Sequence, residues 1–364
     1  MLAKGRIKSV DIFRGVTIVL MILVNTPGTW SNVYAPFLHA KWHGYTPTDL
    51  VFPFFLFIVG TSIAFAYQKK KGSAEVIKKI TIRALKLIGL GLFLGAFTIS
   101  FPFFKDFSEI RFPGVLQRIG VVFFIVSILY LYTNRKTLVL ISISLLVGYW
   151  LLVTFVPVNG IASTLERAPN NLVNFLDVKV FGTHNYMPDY DPEGLLSTIP
   201  SLVTSFLGIF TGLILISKQE KKTTLLVGIG GSMLIIGSIW GIFFPINKAM
   251  WTSSFVLVTA GWANLVLALI YYVTDIKGIQ FGSLFRYTGA NAITVYFLSS
   301  FISKIMGSIM VTQELSVHGW LYQNLFVNKF ISLEASSLLY ALTVVWFYIR
   351  LAYILYHKKI FIKV

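Results

Sequence analysis

The sequence predicts an all-α, polytopic bundle of about ten membrane-crossing helices, on three observations. Hydrophobic residues make up 56% of the 364 and charged residues only 12%, against about 25% charged in ordinary soluble domains. Apolar runs near 20 residues recur along the chain with few charges inside them, which is the length needed to cross a hydrocarbon core. The basic excess, 31 Lys and Arg against 14 Asp and Glu, falls unevenly on alternate turns, as membrane topology demands. No repeat, linker or low-complexity tract divides the chain, so residues 1–364 are expected to form a single domain.

Reading the apolar runs against breakers gives the elements in order. The first, Ile12 to Asn25, follows a basic segment; it lacks a small-residue cleavage site and leads into polar chemistry, so it reads as a helix rather than a signal peptide. Next come Leu50 to Tyr67 and Ile80 to Ser100, with a lysine-rich turn between them. Val115 to Tyr132 starts after Pro113-Gly114, and Leu138 to Val156 after Arg135 and Lys136. A long loop at about 157–198 precedes Ile199 to Ile216, Leu225 to Phe244 and Ser253 to Tyr272. The ninth run, Leu284 to Met310, is too long for one straight span, and Gly289 and Gly307 mark where it bends or begins late. Leu333 to Tyr356 is the last.

Ten spans place both termini on one side, and the charges say which. Twenty-one of the 31 basic residues fall on the side of the termini, including Lys4, Arg6, Lys8 and Arg14, then Lys69, Lys70, Lys71, Lys78, Lys79, Arg83 and Lys86, and later Lys358, Lys359 and Lys363. Nine fall on the opposite face and Arg350 within the last helix. That side is therefore the cytoplasm. Topology explains the net charge of +17, so no nucleic-acid partner is expected. The lipid bilayer is the expected surrounding. Cysteine is absent, which excludes disulfides, thiolate-ligated metals and cysteine-linked acyl intermediates.

Chemistry is expected first in Phe37-Leu38-His39-Ala40-Lys41-Trp42-His43-Gly44, at the external mouth. Asn25 and Asp49 lie close to it in sequence. An imidazole there can take a proton from an amine or hydroxyl while a carboxylate fixes its tautomer and an amide steadies developing charge. The competing reading has interfacial histidines, Asp49 as a helix cap and Asn25 as a helix end. A metal on His39 and His43 is disfavoured by Gly44 and Pro47, which argue against a regular helix, and no local glutamate completes a helical zinc motif. The soluble glycerolipid acyltransferase pattern, histidine and aspartate with four residues between them, also fails: Gly44 and Thr48 stand at those positions. Arg118, in Pro113-Gly114-Val115-Leu116-Gln117-Arg118, is the clearest charge inside a helix, either functional or snorkelling near the interface. Arg14, Arg83, Lys86 and Arg286 sit at cytoplasmic helix ends, where they either bind phosphates or only set topology. The external loop carries Glu166, Asp177, His184, Asp189, Asp191 and Glu193 and reads as an outward acidic patch.

Several motifs in one order resemble the heparan-alpha-glucosaminide N-acetyltransferase family, whose bacterial members are also called NagX-like. They are Ser9-Val10-Asp11-Ile12-Phe13-Arg14-Gly15, Asn25, His39-Ala40-Lys41-Trp42-His43-Gly44 and Thr48-Asp49-Leu50-Val51-Phe52-Pro53. The likeness continues through Arg111 to Arg118, Tyr190-Asp191-Pro192-Glu193-Gly194, Asn247 to Ser254 and Gly289-Ala290-Asn291-Ala292. The resemblance implies a transmembrane acyltransferase fold that takes acetyl-CoA from the cytoplasm and acetylates an amino sugar on the far side. It places the active-site histidine on His39 and the asparagine on Asn25, with Asp49 orienting the imidazole. Coenzyme A phosphates are expected on Arg14, Arg83, Lys86 or Arg286. Acceptor binding or loop closure is expected of Arg118, Asp191, Glu193 and Lys248. His43 stands where the lysosomal member has asparagine, so it is not expected to be a shared catalyst. That member also has an amino-terminal luminal domain and an extra helix, both absent from this sequence, so a smaller acceptor is expected. The implied setting is a bacterial cytoplasmic membrane, crossed many times with both termini cytoplasmic; a homodimer is allowed, and no metal is called for. A transporter for amino sugars is the rival from another class, because broken helices and buried charges also describe carriers.

Overall fold

The computed structural model describes residues 7–68 and 73–362. Of the basic residues named above, Lys4, Arg6, Lys69, Lys70, Lys71 and Lys363 lie outside them. The chain is helical, in the order α1 (Lys8–Asn25), α2 (Pro47–Tyr67), α3 (Ala74–Ala96), α4 (Val115–Tyr132), α5 (Arg135–Phe155), α6 (Leu172–Phe181), α7 (Thr198–Ile216), α8 (Lys222–Phe243) and α9 (Ser253–Tyr271). A π-turn over Tyr272–Ile276 extends α9. Then follow α10 (Ser283–Ala290), α11 (Ala292–Ser308), α12 (Val317–Leu325) and α13 (Leu333–His357).

Seven of these are long and apolar enough to cross a membrane, fewer than the ten runs expected. The other three runs differ for physical reasons. Lys8, Asp11 and Arg14 load the start of α1, and Glu75, Lys78, Lys79, Arg83 and Lys86 the start of α3. The ninth run is broken at Asn291 into α10, of 8 residues, and α11, of 17. Gly289 marks that break: a Cβ there would lie 2.2 Å from the Asp11 carbonyl oxygen of α1. Helices α6 and α12 were not expected, because 10 and 9 residues fall below the length of a membrane run. Asn171 caps α6, its side chain accepting from the N–H groups of Val173 and Asn174.

Packing follows small residues, since in a lipid setting close backbone approach drives helix association. α2 and α7 form the centre. A Cβ on Gly60 would sit 1.8 Å from the Ser205 carbonyl oxygen, and one on Gly208 1.9 Å from that of Phe57, so the two backbones touch reciprocally. Gly230 and Gly261 join α8 to α9 in the same manner. α8 is peripheral: 17% of its apolar window is buried, against 72% for α7.

The loops between the long helices gather at two ends. At one end the backbone N–H groups of Lys8 and Ser9 donate to Asp275, and Ile360 and Ile362 bond Asn291. Both ends of the described chain therefore lie together. The opposite end collects the segments 26–46, 97–114, 156–197 and 244–252, and with them most of the residues singled out for chemistry.

Candidate active site

The His39 segment hangs on the start of α2. Thr46 precedes that helix, and its N–H donates to the Asp49 carboxylate at 3.0 Å, the return half of a capping box. The same carboxylate accepts from the Ala40 N–H (3.0 Å) and from His39 Nδ1 at 2.6 Å. Asp49 is thus both helix cap and imidazole partner, and its side chain is 1% exposed while that of His39 is 50% exposed. A carboxylate only accepts, so a neutral imidazole here carries its proton on Nδ1 and leaves the Nε2 lone pair to accept. The pair is a base held in one tautomer.

The segment Pro245 to Thr252 covers this dyad. Asn247 Oδ1 accepts from the Met250 N–H, the Asn247 N–H donates to Thr252 Oγ1, and the Gly44 N–H donates to the Ile246 carbonyl at 2.7 Å. This turn delivers Lys248, whose Nζ lies 3.0 Å from His39 Nδ1, 3.3 Å from Nε2 and 3.4 Å from Asp49. Its side chain is 19% exposed. Burial lowers the pKa of the ammonium, against the pull of Asp49 and Glu193.

A second layer lies behind the first. Arg111 donates from Nε and Nη2 to both oxygens of Asp191, and Nη2 reaches Glu193 as well. Asp191 is fully buried and also accepts from the N–H groups of Tyr186 and Glu193. Burial opposes the Arg111 charge, but the two carboxylates raise its pKa above the ordinary arginine value. Burial alone would raise Glu193; Arg111, Arg118 and Lys248 instead hold it below the usual glutamate range. Asp177 of α6 takes the N–H groups of Leu195 and Asp191, and burial pushes it up to about 6. Arg118 is buried, with Nη2 on the Gly194 carbonyl and Ser197 Oγ and its plane 5.1 Å from the Trp251 ring.

The outward acidic patch is therefore split. Asp177, Asp191 and Glu193 turn inward, where a guanidinium and backbone donors satisfy them, while Glu166 and Asp189 stay on the rim beside His43 and Arg167. His43 bonds Glu166 at 3.2 Å and is 3.4 Å from Asn247, turned to different partners from His39. Trp42 donates to the Leu165 carbonyl and meets Tyr190 edge-on, which seals the loop over the segment. Asn25 is the exposed last residue of α1, at the same end of the bundle, and among the described residues no hydrogen bond joins it to His39.

At the other end a cavity of about 580 Å³ opens among α2, α3, α4 and α11. Arg14, Lys79, Arg83 and Lys86 line it, with Phe55, Ile58 and Phe123 as apolar wall. Arg286 lies outside that lining, between the rings of Tyr287 and Tyr356. Phe55 is six residues from Asp49 along α2, so at 1.5 Å per residue the deep end of the cavity lies roughly 9 Å along the helix from the dyad.

Residues 6–241 match the family model described as heparan-alpha-glucosaminide N-acetyltransferase, catalytic. The chain belongs to the heparan-alpha-glucosaminide N-acetyltransferase family. Two relatives bear that enzyme name. The human protein is 31% identical over 421 aligned positions, covering 99% of this chain and 60% of that one. The mouse protein is 30% identical, with 99% and 61% covered. This chain thus spans about three fifths of the relatives' length. Within the family match lie Asn25, His39, Asp49, Arg111, Arg118, Asp191 and Glu193, whereas Lys248 falls beyond it. Sequence reasoning gave no role to Arg111 or Asp177. An arginine just before α4, with an acidic loop later in the chain, was the available signal for the first; the second depends on α6, which a search for long apolar runs passes over.

Proposed function

We propose that the protein is a transmembrane acetyltransferase that moves an acetyl group from cytoplasmic acetyl-CoA to an amino sugar on the external side, working as one unit. The observation that carries this reading is a tautomer-locked His39–Asp49 pair at one end of α2 with a cationic, apolar-walled cavity at the other end of the same helix. Arg14, Arg83 and Lys86 suit the phosphates of coenzyme A by charge, and the apolar wall suits its pantetheine arm. The roughly 9 Å between Phe55 and Asp49 is a distance that arm is built to cross.

His39 Nε2 takes the proton of the acceptor amine as nitrogen attacks the thioester carbonyl. The tetrahedral centre collapses, the C–S bond breaks and CoA leaves as the thiolate, which receives the proton. In the alternative order His39 itself accepts the acetyl group and then gives it to the amine. Asp49 holds the ring, and Asn25 donates to the developing oxyanion. Lys248 sits where the amine must come, within reach of Nε2, and orders the acceptor against the ring. Asp191 has no free oxygen lone pair to spare for a sugar, so it and Arg111 are assigned to holding the loop, with Glu193 at its edge.

Purified protein in detergent should release free CoA from acetyl-CoA when glucosamine is added. Solute flux without such turnover would mean a carrier instead. Initial-rate patterns with both substrates varied separate the two orders, parallel lines indicating the acetyl-histidine route.

A further inference from the structure

The Gly289-Ala290-Asn291-Ala292 stretch has no part in the chemistry above, yet Asn291 is 2% exposed and its carboxamide is used at both ends. Its Nδ2 donates to the Ile360 carbonyl at 3.1 Å, and its Oδ1 accepts from the Ile362 N–H at 3.1 Å. A carboxamide that serves one C=O and one N–H of alternate residues replaces the neighbouring strand an extended segment would otherwise need. Thr294 Oγ1 adds a bond to the Ile362 carbonyl at 3.4 Å. Lys359, at φ 57°, turns the chain out of α13 toward this anchor. Asn291 and Ile362 both line the cationic cavity, so the tethered segment is part of its wall.

We propose that Asn291 is a positioning residue for the acyl donor: it pins residues 360–362 as a strap across the cavity, so that coenzyme A is enclosed between the strap and the Arg83 wall. This rests on the donor reading of the cavity. At its start the strap is fastened to α13, where the Ile360 N–H reaches the Leu355 carbonyl and Phe361 meets the Tyr356 ring; across the cavity the Asn291 and Thr294 side chains hold it at a helix break, so that stretch can yield to admit the donor and re-form behind it.

Coenzyme A is titrated calorimetrically into the full-length protein in detergent, with acetyl-CoA and glucosamine kinetics in parallel. Asn291→Ala should raise the Kd for CoA roughly fivefold, the effect of about one net hydrogen bond, and raise the KM for acetyl-CoA in step. The KM for glucosamine should not move. Ile362→Pro, at a half-exposed position outside any helix, deletes the N–H that Asn291 accepts while keeping an apolar side chain. It should act in the same direction, and the double variant should match Asn291→Ala, because both break one attachment. Normal CoA binding in both strap variants, with weakened binding in Arg83→Ala, overturns the strap and leaves the donor cavity standing. Normal binding in Arg83→Ala as well overturns the donor reading and the strap with it. Loss in Asn291→Ala alone, or additive losses in the double variant, also overturns the strap, since Asn291 would then act through the helix break.

Discussion

At the residue scale, one carboxylate does two jobs that are usually separate. Asp49 caps α2 through the Thr46 N–H and holds His39 through Nδ1. Removing the imidazole should leave that cap intact. His39→Ala is therefore expected to fold and bind coenzyme A with acetyl transfer lost by at least ~10²-fold, the usual scale of general-base catalysis. Near-normal turnover in that variant would sink the mechanism. His43→Ala should keep activity within a few-fold, because His43 bonds only the exposed Glu166 and approaches Asn247. Asp49→Asn differs from both: a turnover assay should show a large rate loss, and a melting curve should also shift down, since the buried cap loses an acceptor. A rate loss with an unchanged melting temperature would show that the cap does not depend on the carboxylate.

At the element scale, α2 and α7 meet through backbone, and the loop between α5 and α7 is held through buried charge. Gly60→Val would drive side-chain atoms into the Ser205 carbonyl, so the helices must part. A stability loss of about 1–3 kcal/mol is expected from overpacking, read as a lower melting temperature in detergent; an unchanged one would mean the contact is softer than the backbone distance implies. The loop offers a pH signature. Asp177 rises from an ordinary value of 3.8 to about 6 on burial, so the folded loop binds its proton more tightly than the unfolded one. Its contribution to folding then falls as pH rises from about 4 toward about 6. Asp177→Asn should remove that slope from a plot of melting temperature against pH, and a variant with the parent's slope would place the titration elsewhere.

At the scale of the whole molecule, the dyad and the cavity lie at opposite ends of α2, so donor and acceptor are expected to enter from opposite sides. In sealed, right-side-out vesicles, acetyl-CoA should support transfer only from inside while glucosamine is acetylated outside. Equal rates with acetyl-CoA supplied only outside would reverse the orientation. Arg83→Ala with Lys86→Ala should raise the donor KM several-fold without changing the acceptor KM, because both cations line the cavity and neither approaches His39. A change in the acceptor KM instead would separate the cavity from the donor.

Composition and hydropathy were enough to determine a helical membrane bundle, because a polar backbone in lipid must satisfy itself within each span. Val115–Tyr132 was legible to the residue, with Pro113-Gly114 before it. The order of motifs determined the family and drew attention to His39, Asn25 and Asp49, which are close in sequence. Partners far apart along the chain were decided only by the tertiary structure. Lys248 reaches His39 across 209 residues, Arg111 finds Asp191 across 80, and Asn291 finds Ile362 across 71. Charges read singly as a surface patch became buried pairs, and a broken ninth run became an anchor. The reason is physical: hydropathy records what each residue prefers as its surroundings, whereas an ion pair or a reciprocal amide bond depends on which two segments packing brings within 3 Å.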